Sequence, residues 1–142
     1  MDKNYFVIEY RLPGLNEYTD NNRSHAQEGA RVKRETEKII MTFITIAKRR
    51  GTLKPTPAPV RVNIEWHEKT RKRDPDNIVF AKKFILDALV KCGIIQNDTQ
   101  KYIRGFREEI INDTSDFVRV ELEDVEEPPE AEKKPRRGRD KM

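Results

Sequence analysis

The feature that most constrains the fold is the strict alternation of apolar and polar side chains over residues 60–67. Apolar residues occupy every even position there, and this period of two predicts a strand with one buried face. On either side, residues 24–50 and 75–92 carry apolar side chains at helical spacing. Gly51 and Gly93 follow these segments, where glycine favours the end of a helix. The strand is therefore expected to be covered by helices.

Three further segments have strand-like patterns, at residues 5–12, 100–109 and 116–123. Residues 16–23 are polar and are expected to form a loop. The last two strands are expected to form an antiparallel pair, with a turn near residues 112–113. The predicted order is β-α-β-α-β-β, an α/β (α+β) fold in which two helices cover a mixed sheet.

The charge distribution divides the chain into a folded part and a tail. Charged residues make up 38% of the sequence, and the formal net charge is +4. Residues 124–142 contain six acidic and six basic residues, which cancel, so the excess of positive charge belongs to residues 1–123. We expect one domain over residues 1–124 and a disordered, proline-containing tail over residues 125–142. A basic domain surface attracts polyanions such as nucleic acid.

Several classes of function are disfavoured by the sequence. Cys92 is the single cysteine, so no intrachain disulfide is possible, and it is interpreted as a core residue rather than a nucleophile. His25 and His67 lack the spacing of a zinc pair, and no glycine-rich loop indicates a nucleotide cofactor. No apolar run suits a signal peptide or a membrane span. We therefore expect a cytoplasmic protein without membrane contact.

The chemically informative segment is K-T-R-K-R-D-P-D-N, residues 69–77. Mg²⁺ prefers oxygen ligands and often binds one or two carboxylates together with substrate phosphate. Asp74 and Asp76 are two residues apart, so they would face the same side of an extended segment and could share an ion. Asp74 followed by Pro75 also fits a helix N-cap without any catalysis. The basic run likewise fits an ordinary solvated loop.

Four elements of the sequence together resemble the RusA-type Holliday junction resolvases, which are crossover junction endodeoxyribonucleases. They are L-P-G-L-N, R-D-P-D-N, F-I-L-D-A-L-V-K-C-G-I-I and N-D-T-Q, and the resemblance covers residues 5–123. It implies a RusA-like fold and a homodimer that binds four-way or branched DNA and nicks it symmetrically. It also implies Mg²⁺, with Mn²⁺ as a substitute, held by Asp74, Asp76 and Asp98. Known members of the family occur in phages and prophages.

The resemblance departs from the family in one place. Asp76 and Asp87 are eleven residues apart here, three more than in the family, so the position of the family's lysine is ambiguous. Counting back from L-D-A-L selects Lys83 as the catalytic lysine, and Lys82 is the neighbouring alternative. On a continuous helix, Asp76, Lys83 and Asp87 would share one face. The residues expected to bind the DNA backbone are Lys69, Arg71, Lys72 and Arg73.

Rival interpretations remain open at this point. One is a non-catalytic module that binds branched DNA, and another is a magnesium nuclease that acts on flaps or RNA. A third is an interaction protein that uses the charged tail. All three are compatible with the basic charge, so charge alone does not discriminate between them.

Overall fold

A computed structural model of the chain describes residues 3–24 and 26–125, so His25 and residues 126–142 of the predicted tail lie outside the described residues. The described residues form a mixed four-stranded sheet with helices, which confirms the predicted α+β class. The described residues contain four helices rather than the predicted two. The elements are β1 (Asn4–Ile8), α1 (Leu15–Ser24), α2 (Ala26–Arg50), β2 (Val60–Glu68), α3 (Pro75–Val79), α4 (Lys82–Lys91), β3 (Ile103–Asn112) and β4 (Phe117–Asp124).

The strands lie in the order β1-β4-β2-β3, with β2 parallel to β3 and β4 antiparallel to both β1 and β2. The predicted pairing of the last two strands is therefore wrong, because β2 lies between them. The short connection from β3 to β4 passes over the end of β2. Its Asp113 N–H donates to the Glu68 carbonyl at 3.0 Å, and the Asp116 carboxylate accepts from the Lys69 N–H at 2.7 Å. These bonds satisfy polar backbone groups at the end of the central strand.

The core lies between one face of the sheet and helices α2 and α4. The even positions of β2 are buried and the odd positions are partly exposed, as the alternation predicted. Ile40 and Ile44 of α2 and Ile85 and Leu89 of α4 are fully buried in the same cluster. Within the described residues, no helix combines the length and apolar composition that crossing a membrane requires.

Helix α1 occupies the segment that was predicted to be a loop. Its sequence is polar, and its helical state depends on tertiary contacts that outweigh local propensity. The ring of Tyr18 lies 5.5 Å from that of Phe80 and 5.8 Å from that of Phe84. At its start, the Glu17 carboxylate accepts a hydrogen bond from the Gly14 N–H at 2.9 Å.

The predicted helix over residues 75–92 is divided in two. The backbone angles stay in the helical region at Phe80 and Ala81. The backbone hydrogen bonds change, however, because N–H groups here donate to the carbonyl three residues earlier in the chain instead of four. The N–H of Lys83 donates to the Phe80 carbonyl at 3.3 Å, and that of Phe84 donates to the Ala81 carbonyl at 3.0 Å. Such tighter turns alter the angular spacing of side chains. The interruption lies between Asp76 and Asp87.

Candidate functional site

The two aspartates of the D-P-D segment lie at the start of α3, just past the end of β2. Asp74 is the N-cap residue, with extended backbone angles φ −71° and ψ 153°. Its carbonyl accepts from the N–H groups of Asn77 and Ile78 at 3.0 and 3.1 Å, but its carboxylate makes no capping bond. Asp74 and Asp76 are both exposed, and neither carboxylate has a hydrogen bond or ion pair within the described residues. The capping role thus leaves both carboxylates available to a ligand.

Arg73 fixes the backbone on one side of this pair. Its guanidinium makes two bonds to the Glu68 carboxylate, at 3.1 and 2.5 Å, and a third to the Leu12 carbonyl at 3.0 Å. The two side chains are only 10% and 7% exposed, so the ion pair is a buried one. Arg73 was predicted to bind DNA, but the structure commits its guanidinium to the fold, where it ties the loop to the sheet.

Asn77 fixes the backbone on the other side. It is 8% exposed, and its Oδ1 accepts a hydrogen bond from the Asn16 N–H at 2.7 Å. A Cβ added to Gly14 would lie 2.6 Å from the same oxygen, so any larger residue there would require the Asn77 amide to move. The L-P-G-L-N and R-D-P-D-N segments are therefore one structural unit. Sequence reasoning missed these supporting roles of Gly14, Asn16 and Asn77, because nothing in the sequence shows that the two segments meet.

Substituting Gly14 with alanine tests this unit. We expect the free energy of unfolding to fall by about 1–3 kcal/mol, because the new methyl group collides with a buried amide that has little room to move. Urea denaturation followed by circular dichroism measures the change. Gly105→Ala is the matched control, since a Cβ at Gly105 meets nothing within 4 Å. Equal unfolding free energies for the two variants would contradict this expectation and would show that the Asn77 side chain moves aside without cost.

The basic loop before Asp74 presents the remaining predicted DNA ligands. Lys69, Arg71 and Lys72 are all exposed. The Nε of Arg71 donates to the Asn112 side chain at 2.9 Å, which holds the loop at the end of β3. The ammonium groups of Lys69 and Lys72 have no ion-pair partner in the part of the chain that the structure describes. Cations presented beside unpaired carboxylates suit a phosphate backbone held against a metal ion.

A cluster of side chains around His67 lies at the same end of the sheet as the basic loop. The ring of His67 is stacked on that of Phe117 at 3.9 Å and hydrogen-bonded to the carboxylates of Asp113 and Glu65 at 2.8 and 3.1 Å. The backbone N–H of Thr114 and the His67 ring lower the pKa of the Asp113 carboxyl below its usual value. Both ring nitrogens of His67 are thereby occupied, so this cluster orders the connection beside the loop.

The two candidate lysines lie in different environments. Lys82 donates to Glu108 at 2.7 Å, and its ammonium lies 4.2 Å from the centre of the Phe106 ring. Lys83 is exposed, and its ammonium has no partner among the described residues. The interrupted helix removes the expectation that Lys83 shares a continuous face with Asp76. Lys83 stays the predicted catalytic lysine because Lys82 is engaged within the fold.

Asp98 lies at the opposite end of the sheet from the other two aspartates. It is exposed in a turn just before β3, where the N–H groups of Tyr102 and Ile103 donate to the Thr99 carbonyl. Ile103 pairs with Val60, the first residue of β2, whereas Asp74 and Asp76 follow the last. The nine residues of β2 span about 26 Å at about 3.3 Å per step. The structure does not bring Asp98 together with Asp74 and Asp76.

The arrangement of the potential metal ligands leads to the same conclusion. Among the side chains that the structure describes, no group of three or more His, Cys, Asp or Glu residues is arranged to hold a metal ion. The predicted three-aspartate centre is therefore not assembled within one chain. Two unpaired carboxylates still fit Mg²⁺, which commonly binds one or two carboxylates and keeps waters or substrate phosphate as its other ligands.

Comparison with known proteins adds no assignment. No protein-family model matches the sequence, and no curated protein matches it. The likeness to the junction resolvases therefore depends on the four sequence elements alone. Two of those elements, L-P-G-L-N and R-D-P-D-N, meet through Asn16 and Asn77.

Proposed function

We propose that this protein is a magnesium-dependent endodeoxyribonuclease that resolves four-way DNA junctions as a homodimer of the RusA type, in the cytoplasm. The observation that carries the proposal is the pair of unpartnered carboxylates, Asp74 and Asp76, between two buried anchors. Arg73 and Asn77 hold the backbone rigidly while the acids between them stay exposed. A site whose supporting residues are fixed in this way is pre-organised for a ligand.

The roles of the residues follow from this arrangement. Asp74 and Asp76 would hold Mg²⁺, which, when bound, polarises a phosphate oxygen and activates water. Lys69 and Lys72 would hold the DNA backbone against the carboxylates without reading bases. Lys83 would offset the negative charge that develops on the phosphate. Hydrolysis of the phosphodiester would leave 5′-phosphate and 3′-hydroxyl ends, as the family resemblance implies.

The proposal is tested by cleavage of labelled four-way junctions, flaps, linear duplex and RNA, with Mg²⁺ or with EDTA. We expect paired symmetric nicks in the junction with Mg²⁺ alone. Asp76→Asn should cut at least about 100-fold more slowly and still bind the junction, because a metal ligand is lost while the cationic loop remains. Glu109→Gln, a charge-matched change at an exposed position, is the control and should cut normally.

Each rival interpretation gives a different result in the same assay. Junction binding that is indifferent to EDTA and yields no nicks would establish the non-catalytic binding module. Preferential cutting of flaps or RNA would establish a nuclease with another substrate. Equal cutting of linear duplex would remove the resolvase assignment, because the junction would then contribute nothing to recognition.

A further inference from the structure

We propose that a groove beside helix α2, with the buried carboxylate of Glu37 at its floor, binds an unpaired nucleotide of a nucleic acid strand whose base carries an exocyclic amino group. The residues that form this α2 groove include Arg34, Glu37, Lys38, Met41 and Lys91. None of them belongs to the proposed metal centre. Binding of a nucleotide in the α2 groove would not require that the protein cleaves DNA.

The floor of the α2 groove is a buried carboxylate that is only half satisfied. Glu37 is 3% exposed, and its Oε1 accepts a hydrogen bond from the ammonium of Lys91 at 2.5 Å. Its Oε2 is buried as well and has no hydrogen-bond partner among the described residues. A buried, charged oxygen without a donor is unfavourable, so a ligand that brings an N–H group to this point gains a strong hydrogen bond.

The rim of the α2 groove is cationic. Glu37 lines a cavity of about 350 Å³, and the exposed side chains of Arg34, Lys38 and Lys91 lie around it. Arg34 and Lys38 have no ion-pair partner in the part of the chain that the structure describes. The hydrogen bond to Glu37 raises the pKa of the Lys91 ammonium above its usual value, so this cation is retained at neutral pH. The rim therefore attracts an anion, whereas the floor accepts a hydrogen-bond donor.

An apolar side chain joins this cavity to a second one. Met41 and Lys38 line both the first cavity and an adjoining cavity of about 460 Å³, which continues along α2 past Ile39, Thr42 and Thr45. The thioether of a methionine packs favourably against an aromatic ring. Because the two cavities are continuous and open to solvent, a strand can lie along α2 with one of its bases turned into the α2 groove.

The three parts of the α2 groove match the three parts of a nucleotide. Arg34 and Lys38 would hold the phosphate, and Met41 would pack against the base. The Oε2 of Glu37 would accept a hydrogen bond from an exocyclic amino group, which adenine, cytosine and guanine carry. Thymine and uracil present a ring N–H only between two carbonyl oxygens, which a carboxylate repels. A paired base has its edge occupied and its faces stacked, so the base must be unpaired.

An acidic peptide is the main alternative occupant. Its carboxylates would suit Arg34 and Lys38, and a backbone N–H group could reach Glu37. A nucleic acid strand is favoured for two reasons. The excess of positive charge over residues 1–123 suits a polyanion that contacts several cations at once. The side chain of Met41 offers an apolar contact to a base ring, which an acidic side chain would not use.

The experiment compares two single-stranded oligothymidines of about nine nucleotides, a length within the usual site size for such strands. One has a central adenine, and the other has a central unsubstituted purine, which lacks only the amino group. Binding is measured by fluorescence anisotropy in EDTA, which prevents metal-dependent cleavage, so the result is independent of the proposed nuclease function. We expect the adenine strand to bind at least about 10-fold more tightly, because it gains a hydrogen bond to a buried charged oxygen.

Variants assign the preference to the α2 groove. Glu37→Gln should remove the preference for adenine and leave the affinity for the purine strand unchanged, with circular dichroism as the check on folding. Arg34→Ala combined with Lys38→Ala changes only exposed residues, so it tests the α2 groove even if Glu37→Gln does not fold. This pair should weaken the binding of both strands by about 10-fold and reduce its salt dependence. Arg49→Ala with Arg50→Ala removes the same charge from the exposed end of α2 and should change affinity by no more than about 2-fold.

Three outcomes would overturn the proposal. Equal affinity of the wild type for the adenine and purine strands would mean that Glu37 accepts no hydrogen bond from the base. Free deoxyadenosine monophosphate that binds as tightly as the adenine strand would assign the cavity to a small nucleotide instead of a strand. An oligoglutamate peptide that competes as well as the adenine strand would assign the α2 groove to an acidic protein segment.

Discussion

Replacing Glu68 with glutamine is expected to lower the free energy of unfolding by about 3–5 kcal/mol, which is among the largest effects a single substitution has on a domain of this size. The change keeps the shape of the side chain and removes its charge. The guanidinium of Arg73 is 10% exposed and would lose the carboxylate that binds it at 3.1 and 2.5 Å. The Glu17 carboxylate at 3.7 Å and the bond to the Leu12 carbonyl would remain, but Glu17 is 49% exposed and does not replace the buried carboxylate of Glu68.

Urea denaturation of wild type and variant measures this loss, provided that the slope of the unfolding free energy against urea concentration is the same for both proteins. The double variant Glu68→Leu with Arg73→Met separates charge from packing, because removing both partners of a buried pair is often neutral. Arg31→Ala is the surface control. Its pairs with Glu28 and Glu35 are exposed, so its removal should cost no more than about 1 kcal/mol. If Glu68→Gln lowers the unfolding free energy no more than Arg31→Ala does, the Arg73–Glu68 ion pair contributes no more to stability than a surface pair.

The same substitution links stability to function. Arg73 immediately precedes Asp74, so loosening its guanidinium frees the backbone that positions the two carboxylates. We expect cleavage of four-way junctions by Glu68→Gln to fall even at temperatures where the variant is folded. The basic loop would keep its cations, so binding of DNA should change less than cutting.

The sequence predicted the central strand and the long helix α2 because their patterns are strong and local. Residues 60–67 alternate strictly, and the structure buries the even positions of β2. Helix α2 begins at Ala26 and ends at Arg50, close to the predicted bounds. The predicted pairing of the last two strands was wrong, because the pattern of a strand indicates which face is buried and not which strand lies beside it. Strands β3 and β4 are consecutive, yet each pairs with β2.

The sequence allowed the candidate residues of the site to be selected, but it did not show which of them lie together in the fold. Asp74 and Asp76 could be selected because their spacing and their neighbours suggest an ion and a phosphate. Arg73 could not be distinguished from Lys72 along the chain, yet one is buried against Glu68 and the other is exposed. The position of Asp98 depends on the parallel register of β2 and β3, which becomes visible only when the strands are placed in the sheet.

Helix α1 shows how a polar segment acquires its structure from distant residues. Its Tyr18 ring contacts Phe80, which lies between α3 and α4, and Phe84, which lies within α4. Phe80 and Phe84 contact each other edge-on at 5.6 Å. These aromatic contacts join the segment that follows Gly14 to the helices that follow Asp76. The aromatic cluster therefore links the position of α1 to that of the carboxylates, in addition to the Asn16–Asn77 hydrogen bond.

Substitution of Phe84 with alanine is accordingly expected to cost about 3–5 kcal/mol of unfolding free energy, since it empties the space of a side chain that is 1% exposed. Hydrogen exchange should show the amides of α1 losing protection first, because Tyr18 loses one of its two aromatic partners. Tyr10→Ala, at a position 48% exposed, is the control and should change stability by less than about 1 kcal/mol. If α1 keeps its protection while the global stability falls, its helical state depends on Phe80 and the Gly14–Asn77 contact instead, and the aromatic cluster does not control the site.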